Sequence, residues 1–120
     1  MKIAVLGSIN LDIVASGAPL PRAGETVSGA RLDQHPGGKG ANQAHAARRL
    51  GADTDMYGRV GRDLFAEPAL DLLKRGGTNL AHVLIDDEHP TGVALIAVSP
   101  EGENQITVCS GANAAVAAPQ

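Results

Sequence analysis

Aromatic side chains are almost missing from this sequence, which has one Phe, one Tyr and no Trp in 120 residues. Without aromatic bulk a core must be built from Ala, Val, Leu and Ile, and such small side chains favour close packing of helices on a sheet. Aromatic rings are also the platforms on which unpaired bases stack. The ten Lys and Arg residues are scattered among thirteen Asp and Glu residues, so no basic stripe tracks a phosphate backbone. Both absences argue against nucleic acid as a partner. Cysteine occurs once, at Cys109, which excludes an internal disulfide framework and suits a reducing cytoplasm. Cys109 lies in an alternating apolar run and is expected to fill core space. No segment is long and apolar enough to span a membrane, and the apolar stretch after Met1 is too short for a signal peptide. A cytoplasmic protein with no membrane partner is expected. The four histidines, His35, His45, His82 and His89, fall at no metal-ligand spacing, and no metal site is expected.

What is present is an alternation of strand and helix signals. Residues 3–6 form a continuous apolar run ending at Gly7, the pattern of a strand covered on both faces in a parallel sheet. Residues 11–16 alternate, and "GAPLPRAGE" at 17–25 has loop chemistry. Residues 26–34 are mixed and polar, as in a half-exposed strand. Ala41, Ala44, Ala47 and Leu50 recur at helical spacing, with Gly51 as the stop. Residues 55–60 suit a short strand. Ala66, Ala69, Leu70 and Leu73 then mark a second helix. Pro68 sets its start near Glu67, Lys74 and Arg75 suit its negative end, and Gly76-Gly77 ends it. Residues 80–85 form a third apolar strand. Residues 92–98 and 105–109 flank "SPEGEN", a hairpin signal. The closing "GANAAVAAPQ" resembles the start of a helix. The order predicts an α/β fold with a largely parallel sheet. The alternating strands fit that sheet poorly and are expected to make a separate small sheet with one open face.

"HPGGKGANQA" at 35–44 is the most pointed stretch. A P-loop would need Gly at 33 and a hydroxyl at 40, where this chain has Asp33 and Gly40. A dinucleotide fingerprint would need Gly at 43, which is Gln43. What remains is a helix N-terminus with unpaired amides, approachable because Gly37, Gly38 and Gly40 lack Cβ atoms. Lys39 and Asn42 add donors and acceptors. Such a corner suits a hydroxyl-rich ligand or a phosphate, and equally a plain loop with a solvated lysine. "GSINLD" follows the first strand at its carboxyl end, where ligands bind in open α/β sheets. Asn10 and Asp12, two apart in an extended segment, point the same way. A carboxylate accepting from two adjacent hydroxyls, with an amide beside it, is common sugar-recognition chemistry; a solvent-facing turn is the alternative.

"GSINLD", "GETVSG", "GGKGANQA", "TGVALIAV" and "GEN…GAN" occur together in this order in ribokinases. Over its whole length the sequence resembles the N-terminal part of ribokinases, within the PfkB family of carbohydrate and nucleoside kinases. The resemblance implies a ribokinase-like, Rossmann-like α/β core with a small β lid, whose strands lie at approximately 11–17, 27–35, 91–98 and 104–109. It implies sugar contacts from Asn10 and Asp12, a second wall from Gly38, Lys39 and Asn42 lined by Gly40 and Ala41, and lid residues Ala94 and Ile96 over the sugar. It further implies D-ribose as substrate, pairing of two subunits through the lid, and ATP, Mg²⁺ and K⁺ as the cofactors of the full-length enzyme. Ribokinases are much longer, and the catalytic aspartate, the nucleotide site and the cation site of the family lie beyond this stretch. The chain is therefore expected to be a fragment or truncated product, with no catalytic, nucleotide or metal residue of its own. Two other readings are a non-catalytic sugar-binding or lid-pairing module, and a related kinase for deoxyribose, another sugar or a nucleoside. Two positions depart from the family pattern: Arg62 stands where an acidic residue is common, and Ala66 where glycine is common.

Other polar residues have plainer expectations. Asp86-Asp87-Glu88 is read as a solvated loop, and Arg48-Arg49 as a solvated helix face. His45 is expected to be packed or partly exposed. Ser8 lacks the context of a nucleophile.

Overall fold

A computed structural model describes residues 1–116. In chain order the elements are β1 (Lys2–Leu6), β2 (Asn10–Ser16), β3 (Arg31–Gly37), α1 (Lys39–Arg49), β4 (Asp53–Gly61), α2 (Ala66–Gly76), β5 (Val83–Asp86), β6 (Gly92–Val98) and β7 (Asn104–Cys109). They form two sheets. One is parallel, in the order β1-β4-β5. The other has the order β3-β2-β6-β7, with β2 and β6 parallel at its centre and antiparallel strands outside. The expected α/β class, with a parallel sheet, flanking helices and a separate small sheet, is what the chain adopts.

The helices cover one face of the parallel sheet. Thr54, Met56 and Val60 of β4 are buried on that side, and Ile3 and Val5 of β1 share it by register. The core gathers Ile9, Leu11, Ala41, Ala44, Met56, Val60, Ala69 and Leu73. Full burial of each large member contributes about 1.5–3 kcal/mol, and the alanines let the helices sit close. α2 forms because its apolar stripe meets this core, and Gly77, at φ +84°, closes it in the left-handed conformation. Pro68 lies in its first turn, where the missing N–H costs nothing.

Several expectations are corrected. β1 is not covered on both faces. Ala4 and Leu6 are exposed, because both helices lie on the opposite side. An apolar run cannot distinguish one covered face from two. The strand expected from residue 27 begins at Arg31, since the chain is still irregular through Gly29, at φ +87°. The third parallel strand begins at Val83; Leu80 instead packs against the core from the preceding loop. Leu50 is exposed, because α1 ends at Arg49. Cys109 is exposed on β7, an outer strand whose residues are all exposed, and does not fill the core. The expected terminal helix is a 3-10 turn at Gly111–Ala115, anchored where Ala112 N–H donates to Pro90 O at 2.6 Å; its continuation at 117–120 lies outside the described residues.

Candidate functional site

The turn from β1 to β2, residues 7–9, carries the chain from one sheet to the other. The N-terminus of α1 packs directly on it. A Cβ on Gly40 would lie 2.6 Å from Gly7 C and 2.7 Å from Ser8 N, and Ala41 N–H donates to Ser8 O at 3.0 Å. Gly38, at φ +96°, has the same neighbour: a Cβ there would stand 2.6 Å from Ser8 O. Gly37 leaves room for the Asp12 carboxylate, 2.6–2.8 Å from where its Cβ would be. The glycines of "GGKG" thus admit the chain's own backbone and one carboxylate, which is a different use of their smallness from the approach of a ligand.

This packing opens a cleft of about 360 Å³ lined by Ser8, Asn10, Gly38, Lys39, Asn42, Val108, Ser110 and Asn113. Four of the residues singled out from the sequence, Asn10, Gly38, Lys39 and Asn42, therefore meet at one place. Asp12 lies one rung further along β2, beside His35 of β3 and Ala94 of β6 in register. Ala94 is buried and pairs with Val108, so Asp12, Ala94 and Val108 share the face that carries Asn10. Ile96 is on the rung beyond. Gly40 and Ala41 are buried beneath the turn and do not line the cleft.

The electrostatics of the cleft favour oxygen ligands. No side chain caps α1, and its first turn holds no acidic residue; the Ser8 carbonyl takes up the Ala41 N–H, so the unpaired amides expected from the sequence are partly satisfied by the chain's own backbone. Lys39 adds a cation at the same end. Burial pushes the Asp12 carboxyl up from its ordinary value, and His35 partly offsets this.

Asn113 is the residue that sequence reading missed. Its side chain binds both backbone groups of Ile9 and the side chain of Asn10. The "GAN" motif held the only signal for it. Asp86 was also misjudged. It is buried, and it accepts from the backbone amides of Glu88 and His89 and from Arg59 Nε at 2.8 Å, with His89 Nδ1 at 2.9 Å. The Glu88 amide first, and then Arg59, hold its carboxyl well below the usual range. Arg48 does not face solvent freely: its guanidinium covers Gly77, and Nη1 donates to Ala52 O at 3.4 Å. Two larger clefts lie elsewhere and hold none of Asn10, Asp12, Gly38, Lys39 and Asn42. One of about 440 Å³ lies between α2 and the back of the small sheet, and one of about 390 Å³ beside α2 is mostly apolar, with Val60, Leu70, Leu80 and Val83.

The family model for the pfkB family carbohydrate kinases matches residues 1–120. The chain belongs to this family. The ribokinase of Bacillus subtilis is 43% identical over 112 residues, covering 93% of this pfkB-family chain and 38% of that protein. The ribokinase of Schizosaccharomyces pombe is 44% identical over 119 residues, covering 94% and 37%. Among solved structures, Arabidopsis thaliana ribokinase complexed with ribose and ATP superposes with a TM-score of 0.84 at 36% identity, over 92% of this chain and 36% of that one. The chain spans well under half the length of these relatives. It therefore carries a ribokinase-like fold over part of a pfkB kinase's extent. Among the described residues no helix is long and apolar enough to cross a membrane.

Proposed function

We propose that this chain is the sugar-recognition part of an ATP-dependent ribokinase. In the full-length protein the γ-phosphoryl group of ATP would pass to the primary hydroxyl of D-ribose, giving D-ribose 5-phosphate and ADP. One observation carries the reading: Asn10, Gly38, Lys39 and Asn42, from two distant segments, meet at a single cleft with the Asp12 carboxylate one rung away.

Each group has a task in this reading. Asp12 accepts hydrogen bonds from neighbouring sugar hydroxyls. Asn10 and Asn42 supply amide groups of either polarity. Lys39 and the open end of α1 hold the sugar oxygens. Gly40 and Ala41 act from beneath, by setting where the helix begins. Ala94, Val108 and Ile96 form an apolar cover that excludes water, which strengthens every polar contact below it. Among the described residues no three His, Cys, Asp or Glu side chains gather closely enough to hold a metal ion. As the family resemblance implies, Mg²⁺, K⁺, the nucleotide and the catalytic aspartate would be held by the remainder of the full-length protein. A cytoplasmic location is part of the proposal. So is pairing of two copies through the small sheet, whose far face exposes Leu32 and Leu95.

The test is ADP release by the full-length protein with D-ribose, and with deoxyribose, fructose and adenosine as competitors. Turnover that saturates with D-ribose at the lowest concentration supports the reading. Turnover with a nucleoside alone, or sugar binding without turnover, would replace it.

A further inference from the structure

The carboxamide of Asn113 is locked by the backbone of one residue. Ile9 N–H donates to Asn113 Oδ1 at 2.9 Å, and Asn113 Nδ2 donates to Ile9 O at 3.1 Å. A backbone N–H only donates and a carbonyl only accepts. Exchanging O and N at Asn113 would set donor against donor and acceptor against acceptor, so its orientation is dictated. The second proton of Nδ2 goes to Asn10, 2.7 Å away. Asn10 must therefore turn its oxygen towards Asn113. That leaves the Asn10 NH₂ group donating to no protein atom among the described residues, on a side chain that lines the cleft. Gly92 makes space for the pair: a Cβ there would overlap Asn113 Nδ2 and stand 2.6 Å from Asn10 Oδ1.

We infer that Asn113 is a positioning residue which fixes Asn10 as a donor towards the ligand, and so selects sugars that carry a hydroxyl oxygen at that point. The inference rests on the sugar-binding reading above. Asn113 does not touch the sugar in this scheme. It transfers the fixed polarity of the Ile9 backbone N–H and C=O, 104 positions away in the sequence, to the recognising amide.

The test uses the full-length protein and compares kcat/KM for D-ribose and its monodeoxy analogues, in wild type and in Asn113→Asp. The variant carboxylate still accepts from Ile9 but cannot donate, so Asn10 turns its NH₂ group inward and shows its oxygen to the cleft. The preference for ribose over one analogue should fall about tenfold, through KM, as expected for one lost neutral hydrogen bond. Turnover of that analogue should stay within about twofold, because it makes no such bond. Equal loss for both sugars, or none for either, overturns the inference. Should Asn113→Asp fail to fold, Asn10→Asp serves: it still accepts from Asn113 but offers no donor, and an unchanged preference overturns the inference. If the wild type acts on no pentose, the functional reading falls separately. The orientation of Asn10 is then read from its side-chain ¹⁵N–¹H₂ resonances, which Asn113→Asp should move; unmoved resonances overturn the inference.

Discussion

Thr91 is fastened to Asp63 twice: its backbone N–H donates to Oδ2 at 2.9 Å and its hydroxyl to Oδ1 at 2.7 Å. The same hydroxyl accepts from Gly61 N–H at 2.9 Å. Thr91 immediately precedes β6, so this node ties the entry of the small sheet to the end of β4. Burial alone would push the Asp63 carboxyl up, but donations from the Thr91 amide and hydroxyl and from the Phe65 and Ala66 amides outweigh it and hold it low. Thr91→Val keeps the shape and removes the hydroxyl, leaving the buried Gly61 N–H without its acceptor. Equilibrium denaturation of the full-length protein should show a loss of about 1–3 kcal/mol.

Asp12→Asn should separate binding from stability. In the proposed sugar site two charge-assisted hydrogen bonds of roughly 1.5–3 kcal/mol each are at stake, so KM for ribose should rise at least about a hundredfold. The fold should not suffer. A carboxyl whose folded pKa lies above its unfolded value opposes folding once ionised. The penalty is absent below the unfolded pKa and sets in as pH rises through the folded one. At neutral pH the Asn variant should therefore melt at the same temperature or higher. A lower melting temperature would show that Asp12 supports the fold.

Gly40→Ala should damage both properties together. The added methyl meets Gly7 and Ser8 backbone at 2.6–2.7 Å, and no flexible side chain is there to yield. A loss of about 1–3 kcal/mol follows from overpacking. Because the same displacement shifts Lys39 and Asn42, ribose KM should rise in step. Wild-type stability and KM in this variant would contradict the backbone contact.

Asp86 predicts acid sensitivity. Its folded pKa is depressed, so its contribution is present above the unfolded carboxylate range and is lost as pH falls towards the folded value. Asp86→Asn should weaken the protein at neutral pH and flatten the decline of stability on the acid side. Denaturation midpoints measured from pH 7 downwards give the comparison, and parallel curves for the two proteins would count against it.

Local pattern made much of this legible and long-range pairing made the rest invisible. Helical spacing located α1 and α2, because burial of one stripe leaves a mark within a single turn. Glycine and proline located the turns. The parallel contact of β2 with β6 left no such mark, since neither strand encodes its neighbour. Asp86 looked like part of a solvated acidic run; its satisfaction comes from amides two and three residues on, together with Arg59 from another strand. Of the candidate site, Asn10, Lys39 and Asn42 were visible as polar groups beside a glycine corner. Asn113 was not, because its meaning lies in the Ile9 backbone at the other end of the chain.

The parallel pairing of β2 with β6 also has a kinetic side. Asn10 and Asp12 sit on a strand made early in synthesis, yet their neighbours Gly92 and Ala94 emerge only after β4, α2 and β5. No local hairpin can join the two strands, so closing the small sheet waits on a long loop whose entropy must be met first. A nascent chain halted before residue 92 would hold β2 with one edge unpaired. Such an edge is open to β-pairing with other chains, and stalled or prematurely terminated products of this gene should aggregate more readily than chains that have passed that point.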